Sequence, residues 1–359
     1  RINSHLVSVA YPILDAHGTD AAGIHDATEA LVDQVERRLD ALDARLQHAD
    51  RYVFVTYDEL DTLYYEDWRA MLRCFGALTA LWAGFYRRWV RLRAKFFVRT
   101  DLFAEQSSLM TSDAAKMAAR RVELRWSARQ LYGALFKHII HQDEGLFDYF
   151  APALTLRESK VFGAVPRFER EDDEIPAVKR LCGEWMGANG NKGLTHRWLI
   201  GAVSDGLGEA SPRNLIQLVE DAASYERQEQ RPVNRATQLL HHVSLRNALT
   251  GVSEGQVRSA MQSEQPWLYG VQARLDRPEA REVPWTHRAD IERYLGLDWE
   301  APWSLSHDRP RPPASNAAEL VERLLRLGVF RARKDDSIDV PDLYLEGLRL
   351  KRRGGVARQ

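Results

Sequence analysis

Two carboxylates, Asp58 and Glu59, directly follow the apolar run Tyr52-Val53-Phe54-Val55-Thr56-Tyr57. A near-continuous run of this kind predicts a strand buried on both faces of a parallel sheet. Ligands of open α/β sheets bind outside the C-terminal ends of such strands. Paired carboxylates at that edge suit nucleotide hydrolysis. Asp58 would orient Mg²⁺ or its water shell, and Glu59 would polarise the attacking water. The plainer alternative is an acidic helix start, because Asp and Glu are favoured in a first helical turn.

Three further groups could join that chemistry. The run Lys95-Phe96-Phe97-Val98-Arg99 predicts a second strand, with Thr100 and Asp101 at its end. These two polar residues serve equally well as the cap of a following turn. Further along, Ser211-Pro212-Arg213 reads as a helix start, with Ser211 at the N-cap and Pro212 at the first helical position. Arg213 then opposes the helix dipole, a placement suited to holding a nucleotide phosphate. Its alternative is an exposed arginine paired with Glu209 or an acidic neighbour. Arg120 and Arg121 precede another short apolar run and are candidates for an arginine finger acting on a neighbouring subunit's nucleotide. Most of the chain's 50 Lys and Arg residues are plain surface charges, and that is the alternative for this pair.

The elements that must position these groups emerge from periodicity. Ala27, Leu31, Val35, Leu39, Leu42 and Leu46 form one stripe of a long helix over residues 21–48. A Leu-, Trp- and Arg-rich helix is predicted over 66–93, carrying Trp68, Trp82 and Trp89 as a packing stripe. A short helix near 113–120 and a third strand at Val122-Glu123-Leu124 come next, then helices over 127–150. His5–Ala10 is a candidate edge strand. Alternating helices and strands predict a parallel α/β sheet. Residues 155–176 read as charged loop, and 177–300 as almost wholly helical. The Pro-rich Arg309-Pro310-Arg311-Pro312-Pro313 marks a linker. Beyond it, a helix over 316–327 and a turn at Asp335-Asp336 between two short apolar runs suggest a winged helix. The expected organisation is an α/β core over 1–150, a helical region over 151–308 and a winged-helix-like domain over 309–359.

Composition narrows the classes. The chain has 359 residues, 45% hydrophobic and 28% charged, with net charge -1. That balance is ordinary for globular proteins and gives the whole molecule no bias toward nucleic acid or membrane. Two cysteines, Cys74 and Cys182, argue against a disulfide framework or zinc site and predict a reducing, cytoplasmic setting. No apolar run approaches the ~20 residues of a membrane span. His138 with His141, and His241 with His242, lack a matched set of metal ligands and read as ordinary surface or core histidines.

The order of strand with Asp58-Glu59, strand with Thr100, and helix with Pro212-Arg213 resembles the AAA-plus and STAND-type P-loop ATPases. The stretch from Trp185 through Gly193 to Trp198 is similar to the turn before the lid of large bacterial ATPases of this type, often encoded near defence genes. The segments 340–344 and 351–356 are similar to the end of their winged-helix module. The resemblance spans roughly residues 50–356 and rests on motif order rather than on any single motif. It implies Walker B roles for Asp58 and Glu59, with Mg²⁺ held through water at Asp58. It implies a sensor role for Thr100, with Arg99 beside it, a sensor 2 role for Arg213, and ATP with Mg²⁺ as cofactors. It implies homo-oligomeric assembly with an effector protein or DNA as partner, and a helical lid ahead of the winged helix.

One departure stands out. No Gly-x-x-x-x-Gly-Lys-Ser/Thr loop occurs in the chain. That loop wraps phosphates with backbone N–H groups and supplies a lysine and a Mg²⁺ ligand. The glycine-rich 187–193 segment has Lys192 before Gly193 with no following hydroxyl, so it does not qualify. The loop is expected upstream of Arg1. Two other functions compete: a non-catalytic DNA-binding module using Arg331, Arg333, Lys334, Arg349, Lys351, Arg352 and Arg353, and an interaction scaffold on an inactive nucleotide fold.

Overall fold

The computed structural model describes residues 21–60, 68–107, 120–170, 172–229, 237–303 and 311–353. The candidate strand at 5–10 and nearly all of the candidate helix at 113–120 lie outside the described residues. The chain forms two compact units, one of residues 1–64 and 69–121, the other of 65–68 and 122–359.

The first unit runs α1 (Ala21–His48), β1 (Val53–Tyr57), α2 (Trp68–Arg88), β2 (Leu92–Phe96) and α3 (Thr100–Ser107). β1 and β2 pair in parallel, Val53 opposite Leu92 and Tyr57 opposite Phe96. Parallel neighbours need a crossover, and α2 supplies it. Strand alternation gives Val55, Tyr57, Leu92, Ala94 and Phe96 to one face. There they meet Trp82, Phe85 and Trp89 of α2 and Leu39 of α1. The two indoles and Phe85 pack at centroid separations of 4.2–6.0 Å. The Trp82 indole N–H also donates to the Tyr57 hydroxyl at 3.0 Å.

The other face departs from the expectation of a doubly buried strand. Tyr52, Phe54 and Phe97 are 53%, 49% and 46% exposed. The run looks continuous in sequence because these rings are apolar, yet two of them have cations as partners. The Arg91 guanidinium lies 4.5 Å from the Tyr52 ring centroid and the Lys95 ammonium 4.4 Å from that of Phe54. Aliphatic stems over aromatic faces let these pairs stay in water.

β2 also begins three residues earlier than predicted, at Leu92 rather than Lys95. The cause is Asp43, buried on α1. Its carboxylate accepts the N–H groups of Val90, Arg91 and Leu92 at 3.1, 2.7 and 2.8 Å. The strand therefore starts where that carboxylate holds the chain.

The second unit begins with α4 (Ala128–Ile140), α5 (Glu144–Phe150) and the hairpin β3 (Leu156–Ser159) to β4 (Gly163–Pro166). Next come α6 (Ile175–Cys182), α7 (Thr195–Ala202), α8 (Pro212–Glu229), α9 (His242–Ser259) and α10 (Leu268–Leu275). The chain closes with β5 (Glu282–Val283), α11 (Arg288–Gly296), α12 (Ala317–Arg326), β6 (Arg331–Ala332), β7 (Ile338–Asp339), α13 (Asp342–Leu345) and β8 (Lys351–Arg352).

Val122-Glu123-Leu124 is not a strand. Val122 and Leu124 are 80% and 78% exposed, so neither has a sheet to pack on. The segment expected to be loop contains the β3–β4 hairpin, closed through Gly163 at φ 66°. The predicted helix over 316–327 forms as α12, capped by the Asn316 side chain on the Glu319 N–H. β6 and β7 pair antiparallel, while β8 returns parallel to β5. One continuous core runs from Leu131 to Leu350. The architecture is helix-rich α/β with small sheets, two of them parallel pairs. Among the described residues, no helix is long and apolar enough to cross a membrane.

Candidate functional site

Because β1 and β2 run in parallel and in register, the residues after each strand emerge at the same edge. The Phe97 N–H donates to the Tyr57 carbonyl at 2.8 Å, carrying the pairing one step past the strands. Asp58 and Glu59 leave β1 there, and Val98, Arg99 and Thr100 leave β2 there. Thr100 lies three residues beyond Phe97, within roughly 10 Å of chain reach.

Asp58 and Glu59 are both exposed. Asp58 Oδ1 accepts the Glu59 N–H at 2.9 Å. Glu59 has φ 56°, a left-handed conformation that costs a non-glycine residue about 1 kcal/mol. The turn thus bends the chain away just after the strand and leaves both carboxylates at the sheet edge. Backbone conformations of this kind cluster at functional sites.

On the β2 side, the Arg99 carbonyl accepts the first helical bond of α3, from Phe103 at 3.0 Å. Thr100 is therefore the first residue of α3 and is exposed. Arg99 forks onto Asp101, with Nε to Oδ1 at 3.1 Å and Nη2 to Oδ2 at 2.9 Å. A phosphate contact by Arg99 would have to displace that carboxylate. Arg120 and Arg121 are exposed but lie over rings of the same unit. Arg120 sits 4.1 Å from the Tyr86 centroid and Arg121 4.8 Å from that of Phe103.

Arg213 belongs to the second unit. The local reading of its helix matches the structure: α8 starts at Pro212, and Ser211 Oγ accepts the Arg213 N–H at 3.1 Å. The Arg213 side chain is exposed. Glu209 lies 3.5 Å from Arg125 instead.

The histidine pairs have local partners. His138 Nε2 meets Glu220 Oε1 at 2.8 Å, and His141 Nε2 meets the Ala164 carbonyl at 2.9 Å. His241 caps α9 by accepting the Val243 N–H and stacks on His242 at 4.0 Å. Several of the C-terminal basic residues are also engaged. Arg333 bonds Asp339, Arg349 meets Asp276 at 3.0 Å, and Lys351 meets Glu282 at 3.0 Å. Arg352 spans Asp339 and Asp342.

Compared with known protein families, curated proteins and solved structures, the chain matches none.

Proposed function

We propose that this chain is part of a nucleoside-triphosphate hydrolase of the AAA-plus and STAND type. The observation that carries the reading is the shared edge of β1 and β2, which gathers Asp58, Glu59, Arg99 and Thr100 at the C-terminal ends of two parallel strands. In this reading Asp58 holds Mg²⁺ through water, Glu59 polarises the attacking water, and Thr100 senses the γ-phosphate. Arg213 supplies the lid cation, Arg121 acts on the neighbouring subunit's nucleotide, and nucleotide state couples to homo-oligomeric assembly. On the same reading the fold comprises a P-loop core, a helical lid and a C-terminal winged helix built on α12, β6 and β7. A role in bacterial defence rests on the motif resemblance alone.

The hydrolase reading requires a phosphate-binding loop, which these 359 residues do not contain. The test therefore uses the full-length protein. ATP hydrolysis is measured beside a Glu59→Gln variant, with nucleotide binding followed in parallel. The expected result is a variant that binds ATP as the parent does and turns it over at least about a hundredfold more slowly. If the parent neither binds nor hydrolyses ATP, the carboxylates are a solvated turn and the proposal fails.

A DNA-binding role draws on the C-terminal cations, but four of them are already paired with Asp276, Glu282, Asp339 and Asp342. Internal pairing lowers the charge left for phosphates. We therefore favour the hydrolase reading.

A further inference from the structure

A second candidate site lies wholly within the 122–359 unit and does not depend on the hydrolase reading. The start of α4, the turn before α6 and the start of α7 line an open cavity of about 450 Å³. That volume falls within the range of small-molecule pockets. Its lining includes Arg129, Asp172, Glu174, His196 and Arg197, with Ser127 and Tyr132 beside them.

Glu174 is the anomaly. It is 6% exposed, and its Oε2 has no hydrogen-bond partner. It occupies the N-cap position of α6, where a short acceptor side chain commonly bonds the first-turn N–H groups. Glu174 makes no such side-chain bond. Its backbone carbonyl accepts the Val178 N–H at 3.0 Å. A buried carboxylate oxygen without a donor costs free energy that folding alone does not recover. Thr195, the residue before His196 in the chain, is fully buried and likewise has an unpartnered hydroxyl.

Two of the surrounding groups, Tyr132 and Arg129, each spend a donor on a backbone carbonyl. The Tyr132 hydroxyl donates to the His196 carbonyl. His196 Nε2 lies 4.0 Å from Asp172 Oδ1. Arg129 donates to the Glu169 carbonyl. Arg197 is exposed. Asp172 has φ 70°, so the turn carrying both acids bends sharply. The cavity thus combines a deep carboxylate that lacks a donor with two exposed guanidinium groups.

We propose that this cavity binds a small zwitterion, a primary ammonium seated on Glu174 and a carboxylate held by Arg197 and Arg129. An ammonium brings three donors to the Glu174 carboxylate, and a guanidinium fork matches a carboxylate.

The test is titration of the protein with β-alanine, γ-aminobutyrate and ε-aminocaproate, which differ in charge separation. n-Pentylamine and pentanoate serve as single-charge comparisons. Binding is read by calorimetry and by NMR shifts of the His196 ring. At least one zwitterion is expected to bind more tightly than either single-charge probe. Glu174→Gln should weaken the amine-bearing probes about tenfold or more and leave pentanoate unchanged. Arg197→Ala, at an exposed position, should weaken the carboxylate-bearing probes and leave n-pentylamine unchanged. Thermal melting checks that each variant folds. If Glu174→Gln fails to fold, the Arg197→Ala comparison decides alone. The proposal is overturned if folded wild-type protein binds no zwitterion at about 10 mM, a concentration that detects millimolar affinity. It is also overturned if pentanoate binds as well as every zwitterion. Neither result involves ATP, so failure here leaves the hydrolase reading to its own test.

Discussion

At the scale of single residues, Asp43 has the clearest structural role. It is 3% exposed and holds three successive backbone N–H groups together with the Gln47 amide at 2.7 Å. Burial pushes its carboxyl up, but the N–H groups of Val90, Arg91 and Leu92 with Gln47 outweigh that, so it titrates below the ordinary carboxylate value. A lowered folded value means stability that is full above the unfolded pKa. That stability is lost as pH falls through the folded value. Asp43→Ala should remove it by leaving buried N–H groups without acceptors, at a cost of about 2–4 kcal/mol. Urea unfolding of both proteins at neutral pH and in acid checks this. The gap should be wide at neutral pH and should close at the acid end. A loss under about 1 kcal/mol would mean that water replaces the carboxylate freely.

At the scale of elements, close backbone approach fixes how the C-terminal segment docks. The turn at 204–210 presses on residues 328–331. The Gly206 N–H donates to the Gly328 carbonyl at 2.6 Å, and Arg331 donates to the Asp205 carbonyl at 3.0 Å. A Cβ at Gly206 would stand 2.1 Å from the Phe330 carbonyl oxygen, which cannot swing aside as a side chain does. Gly206→Ala should therefore destabilise by about 1–3 kcal/mol. Gly255→Ala on α9 meets nothing within 4 Å and should instead stabilise by about 0.5–1 kcal/mol. Opposite shifts in melting temperature for the two variants are the expected outcome. Equal shifts would remove the packing argument.

This scale also sets what is legible in sequence. The stripe of α1 and the Ser211 cap of α8 are readable because periodicity and capping are local. β1 is readable as a strand, but its exposure is not, since Phe54 looks the same whether covered by a helix or by Lys95. The start of β2 depends on Asp43, 49 residues before Leu92, and no local pattern carries that distance. Motif order points to the shared edge holding Asp58 and Thr100. Nothing in the sequence points to the cavity at Glu174, because its residues come from three separated segments and only their meeting leaves the carboxylate without a donor.

At the scale of the whole molecule, the residues beyond the Pro-rich linker are bound into the second unit's core. Leu320, Leu324, Phe330, Val340 and Leu348 are all fully buried. The Phe330 ring meets Trp285 at 5.3 Å. Trp285 and Ile338 exchange backbone bonds at 2.9 and 3.1 Å. The Gly347 N–H reaches Ser253 on α9 at 2.9 Å, and Gln272 on α10 reaches the Gly347 carbonyl at 2.6 Å. A chain ending at residue 308 would expose Trp285, Val257 and the apolar faces of α9 and α10 that these residues cover. Each fully buried large side chain is worth about 1.5–3 kcal/mol, so losing five rivals the ~5–15 kcal/mol stability of a typical domain. The expected result is that this truncated chain loses its cooperative thermal transition and exposes apolar surface to a fluorescent dye. A truncated chain that melts within a few degrees of the parent would instead make the C-terminal segment a separable domain. Its helix and hairpin would then have to be explained by a partner rather than by the core they fill.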